Sequence, residues 1–185
     1  NHVIIENGKF MEGSNKFIDG GYSSTGVVDK NTVTIKGGNF SRNISGGRTG
    51  SGDVTNNIVT IEGGTFNDAI YGGFSLSGDA TGNIVTIEGG KFNDGFKLYG
   101  GYVNTSGKIS SGNILNLKTK ITKTDGSNSM ANTVGYFQTM NFTLPSNITN
   151  GETMLSTQNL GVNASGGEAK VNVYAANGVT LKKGD

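Results

Sequence analysis

Val33-Thr34-Ile35 returns as Val59-Thr60-Ile61 and again as Val85-Thr86-Ile87, at a constant step of 26 residues. Looser copies, Val3-Ile4-Ile5 and Leu115-Asn116-Leu117, flank these at steps of 30. A fixed period of this size marks a repeat architecture. The likeness extends past the triplet. An asparagine stands two residues ahead of it each time (Asn1, Asn31, Asn57, Asn83, Asn113). A phenylalanine follows seven residues after its first member in four copies (Phe10, Phe40, Phe66, Phe92). Between them lie Gly37-Gly38, Gly63-Gly64 and Gly89-Gly90. A second glycine pair follows at Gly20-Gly21, Gly46-Gly47, Gly72-Gly73 and Gly100-Gly101, with Ile18, Ile44, Ile70 and Leu98 two residues ahead of it.

Inside the unit the period is that of a strand. Val33 and Ile35 point one way and Thr34 the other. Branched residues favour a pleated surface, and no stretch carries the three-to-four spacing of an amphipathic helix. The glycine pairs are expected at corners, where positive φ is needed. Ordering a residue's backbone costs about 1–2 kcal/mol, and burying a Val or Ile returns about 1.5–3 kcal/mol, so one unit with few apolar residues cannot stand alone. Neighbouring units must share a core. The expected fold is therefore all-β: a right-handed parallel β-helix with turns of about 26 residues, the hand being the default for parallel crossovers. Columns of Val/Leu, Ile/Leu and Phe fill its shaft. A fourth column, of asparagines, is held by amide hydrogen bonds. The two steps of 30 read as four-residue insertions, placed at Met11 to Lys16 and Gly95 to Lys97.

Residues 1–120 are read as the repeat turns and 121–185 as an irregular continuation that caps the open end. Lys118 to Asn132 reads as a loop or worn turn, and the alternating runs at 133–137, 140–144 and 170–174 as further strands. Asn150-Gly151 and Asn177-Gly178 mark turns. The 32 glycines recur at fixed places, which argues against a flexible linker, and the lone Pro145 leaves the ladders unbroken. A net charge of +1 gives no footing for nucleic acid or an anionic membrane. With no cysteine, disulfides and thiolate metal sites are excluded.

The pattern Asn-x-Val-Thr-Ile-x-Gly-Gly-x-Phe followed by Tyr-Gly-Gly resembles repeats in the passenger regions of Gram-negative autotransporter adhesins. Phe142-Thr143-Leu144-Pro145, Asn150-Gly151-Glu152-Thr153-Met154-Leu155 and Leu181-Lys182-Lys183-Gly184-Asp185 resemble the closing stretch of such passengers. The resemblance implies a β-helix of a type V secreted protein, displayed outside the outer membrane by a C-terminal barrel absent from this stretch. Its role there is adhesive or stalk-like and non-enzymatic. The partner would be a glycan or protein of a host or bacterial surface. The chain opens in mid-pattern and reads as a monomeric excised piece. No cofactor or metal is expected.

Several residue sets are candidates for chemistry. Tyr71, Phe74, Tyr99 and Tyr102, with Tyr22, gather round the second glycine pair and form the expected binding surface, since aromatic rings on stacked turns make a platform for sugar rings or a partner. Asp29, Asp53 and Asp79 recur in one loop and read as solvated carboxylates before they read as a calcium column. Asp68 and Asp94, with Lys97 and Lys108, are what a polysaccharide-cleaving β-helix would have to use. His2 has no second histidine or cysteine to share a metal with. Thr34, Thr60 and Thr86 face outward, as does a stripe of Ile58, Ile84 and Ile114, which is expected to be covered by a loop or by the C-terminal tail.

Overall fold

The structure, a computed structural model, describes residues 1–11, 13, 16–161 and 169–175. Among these every regular element is a strand. The strands form parallel sheets in a solenoid of about six turns, roughly 26 residues apart. The three exact repeats fall into strict register: Val33, Val59 and Val85 pair in turn, as do Ile35, Ile61 and Ile87. Val3 and Leu115 extend the first column, Ile5 and Leu117 the second.

Each regular turn contributes to four sheets. One broad sheet carries the Val-Thr-Ile strands. A narrow one carries the phenylalanines, whose rings stack at 4.9, 5.1 and 5.1 Å from Phe10 through Phe92. A second broad sheet holds Asn43–Thr49, Ala69–Ser75 and Lys97–Val103, and a second narrow one holds Val28–Asp29, Val54–Thr55, Ala80–Thr81 and Ser110–Ser111. In the three regular turns the inward side chains of the Val, Ile and Phe columns are fully buried, while Val3, Ile5, Phe10 and Ile18 of the first turn are partly so. Beyond Leu117 only the two broad sheets continue. Met130–Gly135 and Ser156–Gly161 extend one, and Thr139–Leu144 and Lys170–Ala175 the other. Ile121, Val134, Phe137, Met140 and Met154 take over the core there. Asn150-Gly151 does turn, with Gly151 at φ 84°. Asn177-Gly178 and Leu181 to Asp185 lie outside the described residues.

The asparagine column is the polar spine of the shaft. Asn57 is fully buried. Its Oδ1 accepts both the backbone N–H and the side-chain N–H of Asn31, each at 2.9 Å. Its Nδ2 donates to Val28 O and Thr55 O and onward to Asn83 Oδ1. The same links join Asn83 to Asn113. In the next turn Gln138 takes the place of asparagine, its Oε1 accepting from Asn113 N and Nδ2. Asn57→Ala leaves the buried Asn31 N–H without its acceptor. It should lower unfolding free energy by about 1–3 kcal/mol. A urea midpoint equal to that of the parent chain would contradict the spine.

Three sequence expectations need correction. The first glycine pair does turn a corner, with Gly38, Gly64 and Gly90 at φ of 115, 104 and 98°. The second pair does not: Gly72 and Gly73 lie buried inside the strand Ala69–Ser75. Glycine is required there by contact, since a Cβ on Gly73 would fall 2.7 Å from Asn83 Nδ2. The first insertion lies between Phe10, which pairs with Phe40, and Phe17, which pairs with Asn43, as expected. The second is divided. Phe66 pairs with Phe92, 26 on; Ala69 with Lys97, 28 on; Ala80 with Ser110, 30 on. Two residues therefore enter before Lys97 and two more between Val103 and Ser110. The first of these bulges puts Phe96 into the core against Phe92. Finally, the described part of the tail does not cover Ile58, Ile84 and Ile114. Its strands Thr139–Leu144 and Lys170–Ala175 lengthen that sheet instead of crossing it.

Candidate functional site: an aromatic slab on one broad sheet

On the second broad sheet Ile44, Ile70, Leu98 and Val134 point into the core. Tyr71 and Tyr99 therefore point outward. Phe74 stands three residues past Tyr71, which on a regular strand would face the core. Its ring instead meets Tyr71 edge-on at 5.2 Å. The Gly72-Gly73 pair breaks the alternation, as a bulge does, and delivers both aromatic positions to one face.

Stacking of the turns then builds the slab. Tyr71 stacks on Tyr99 at 5.0 Å and Phe74 on Tyr102 at 5.2 Å. Tyr71 and Tyr99 also meet Tyr102 across the gap, at 5.8 and 5.3 Å. The four expected residues thus come together. Tyr136 closes one end, edge-on to Tyr99 and Tyr102. Phe17 closes the other, tilted against Tyr71 and Phe74. Arg48 lies over the rings of Phe17 and Tyr22, at 4.6 and 4.3 Å, and is held by an ion pair with Asp19 at 2.9 Å. Among the described residues Tyr22 joins the slab through that guanidinium alone, and it is itself well exposed.

Ring packing leaves Tyr71 9% exposed while Phe74, Tyr99 and Tyr102 stay half-open. Burial, helped by the neighbouring phenols and by Asp68, pushes the Tyr71 hydroxyl well above the usual tyrosine range. Burial also raises Tyr99 and Tyr102. The slab therefore offers neutral O–H groups at the edges of apolar ring faces, a surface suited to the alternating CH and OH faces of a sugar or to an apolar protein patch. Asp19, beneath Arg48, has its pKa raised because desolvation outweighs the hydrogen bond and charge of the guanidinium.

The remaining sets are accounted for by links between turns. Asp53 Oδ1 accepts Asp79 N–H and Asp79 Oδ1 accepts Ile109 N–H. Asp29 accepts from Thr55 and Asn56, which holds its pKa below the usual carboxylate range. Among the described residues no three His, Cys, Asp or Glu side chains gather to hold a metal ion. His2 Nδ1 hydrogen-bonds Thr32 Oγ1. Asp94 accepts from Met130 N–H and from Lys123 Nζ, and these hold its pKa down. A proton-donating carboxyl needs the opposite shift. Lys97 lies in register with Ala69 and Thr133 on the aromatic sheet, and Lys108 stands exposed in the loop beyond it. Asp68 lines a cleft on the flank of the slab.

Comparison with family models, curated proteins and solved structures finds no match to this chain.

Proposed function

We propose that this chain is a non-enzymatic passenger segment of a surface-displayed autotransporter. It serves as a rigid stalk whose aromatic slab adheres to a glycan or protein of a host or bacterial surface. The slab carries the reading: six rings on stacked turns form one continuous outward face, and two of them, Tyr99 and Tyr102, present half-open hydroxyl-bearing surface. Aromatic side chains of this kind dominate recognition where one side is apolar and the other wet. The repeat pattern and its resemblance to passenger repeats supply the context of display.

The test is binding of the isolated chain to an array of neutral and acidic glycans and to cells, compared with the double variant Tyr99→Ala/Tyr102→Ala. Neither ring belongs to the central core, so the variant should keep its strand signal in circular dichroism. Loss of about tenfold in affinity, about 1.4 kcal/mol, is expected. Equal binding by parent and variant would remove the slab from recognition. Binding seen only when further passenger segments are attached would leave this piece as a stalk.

A further inference from the structure

A cleft of about 440 Å³ opens beside the aromatic slab, between the first insertion and the following turns, lined by Gly13, Lys16, Ser41, Arg42 and Asp68. Among the described residues six cations pair with carboxylates: Lys30 with Asp29, Lys36 with Glu6, Arg48 with Asp19, Lys118 with Glu88, Lys120 with Glu152 and Lys123 with Asp94. Lys16 and Arg42 make no ion pair among the described residues, although Asp68 lines the same cleft.

Arg42 is also aimed. Its Nε donates to Met11 O at 2.6 Å, which fixes the guanidinium plane. One Nη lies where a Cβ on Gly13 would come within 2.8 Å, so the fork rests close against the Gly13 backbone. Among the described residues no acceptor takes the Nη donors, and a guanidinium suits a planar carboxylate or a sulfate oxygen pair. Ser41 Oγ accepts from Asn67 Nδ2, so its own hydrogen is free to donate. Asp68 spends one oxygen on Ala69 N–H and keeps the other as an acceptor. Two unpaired cations, a hydroxyl donor and an acceptor carboxylate in one cleft match a ligand that carries both an anionic group and neighbouring hydroxyls. A bare anion has no use for Asp68 and is repelled by it.

We infer that this cleft is a second binding site, separate from the slab, for the acidic ring of a glycan: the carboxylate or sulfate sits on Arg42 and Lys16, and a ring hydroxyl donates to Asp68. The site is a binding site only, and no bond is made or broken in it.

Titration calorimetry of the 185-residue chain tests this with three probes: tri-galacturonate (carboxylate sugar), a chondroitin sulfate tetrasaccharide (carboxylate and sulfate), and sodium sulfate alone. Maltotriose serves as the neutral control. Tri-galacturonate should bind, more weakly as salt rises, and lose at least about tenfold in affinity in Lys16→Gln and in Arg42→Gln. Lys16 is exposed, and its link to the next turn is made by its backbone carbonyl, which accepts from Asn43 N–H, so the side-chain variant tests the site even if Arg42→Gln loosens the Met11 loop. A sulfate-bearing preference appears as tighter binding of chondroitin than of galacturonate. Asp68→Asn should strengthen binding of sodium sulfate while weakening that of tri-galacturonate, a split that simple charge attraction cannot give. Tri-galacturonate affinity unchanged in Lys16→Gln, or movement of both probes in the same direction in Asp68→Asn, overturns the inference. Tyr99→Ala/Tyr102→Ala should leave tri-galacturonate binding intact, so failure at the slab and failure at the cleft are told apart.

Discussion

Ile61→Asp should abolish folding of the repeat stack. Ile61 is fully buried, with Ile35 on one side in register and Ile87 on the other. A carboxylate placed there enters an apolar core shared with Ile35, Ile87 and the phenylalanine column. It must either remain charged without a partner or take up a proton and bury an unsatisfied carboxyl. The lost burial and the void beside the new side chain add to that. The total, at least about 4–5 kcal/mol, is comparable with the whole stability of a typical domain. The damage spreads, because each turn of a solenoid is stabilised only through its neighbours. Circular dichroism of the variant should show the strand signal gone, whereas Ile61→Val should cost only about 0.5–1.5 kcal/mol. A variant Ile61→Asp that melts with the parent would mean that the isoleucines do not form a common core.

Gly72→Val is expected to be nearly as damaging, for a reason of space and not of polarity. A Cβ on Gly72 would stand 2.6 Å from Gly100 O and 3.0 Å from Asn83 Cβ. The first obstacle is backbone of the next turn, which the hydrogen-bonded ladder holds at roughly 4.8 Å between strands. Nothing flexible is present to yield, so the two turns must part. A loss of about 3 kcal/mol or more should follow, at the upper end of overpacking effects. Gly95, by contrast, has open space around its Cβ position and needs glycine only for its φ of 87°. Gly95→Asn, which tolerates that conformation, is the control. Urea midpoints for the two variants that fall together would show that contact at Gly72 is not the constraint.

Much of this was legible in the sequence because a strict period leaves little freedom. Once Val33, Val59 and Val85 share a column, the isoleucine, phenylalanine and asparagine columns follow at fixed offsets, and the structure places them so. What escaped the reading lies where the period slips. Gln138 stands two residues before Met140, as each asparagine stands two before its valine, and Met140 pairs with Leu115. The signal was present, but an amide of different length in a changed context hid it. The divided second insertion was hidden too, because a step of 30 fixes the total and not its distribution.

The slab shows the same limit. Tyr71, Phe74, Tyr99 and Tyr102 could be gathered from spacing alone. The shift of face at Gly72-Gly73 could not, since a glycine pair in a repeat reads equally well as a corner. Phe17 and Tyr136 join the face from the worn turns at either end of the regular repeats, and Arg48, in register with Phe74, reaches it by laying its guanidinium over Phe17. The cleft was missed altogether. Arg42 and Asp68 are 26 residues apart and carry no motif; only the coiling of the chain sets them on one cleft wall.

The asparagine spine has a polarity with consequences for assembly. From Asn31 through Asn113 to Gln138, every amide oxygen looks back toward the earlier turn, and the amide hydrogens look forward to the next oxygen. The backbone bond made to Val28 O prevents an amide such as that of Asn57 from being flipped without loss. The shaft is thus a one-way street. A newly arriving coil can dock at the forward end only by offering oxygen, and at the rear end only by offering hydrogen. Two such columns meeting by like ends would set lone pair against lone pair or proton against proton, so the amides that hold the turns together also fix the direction in which one turn can follow another.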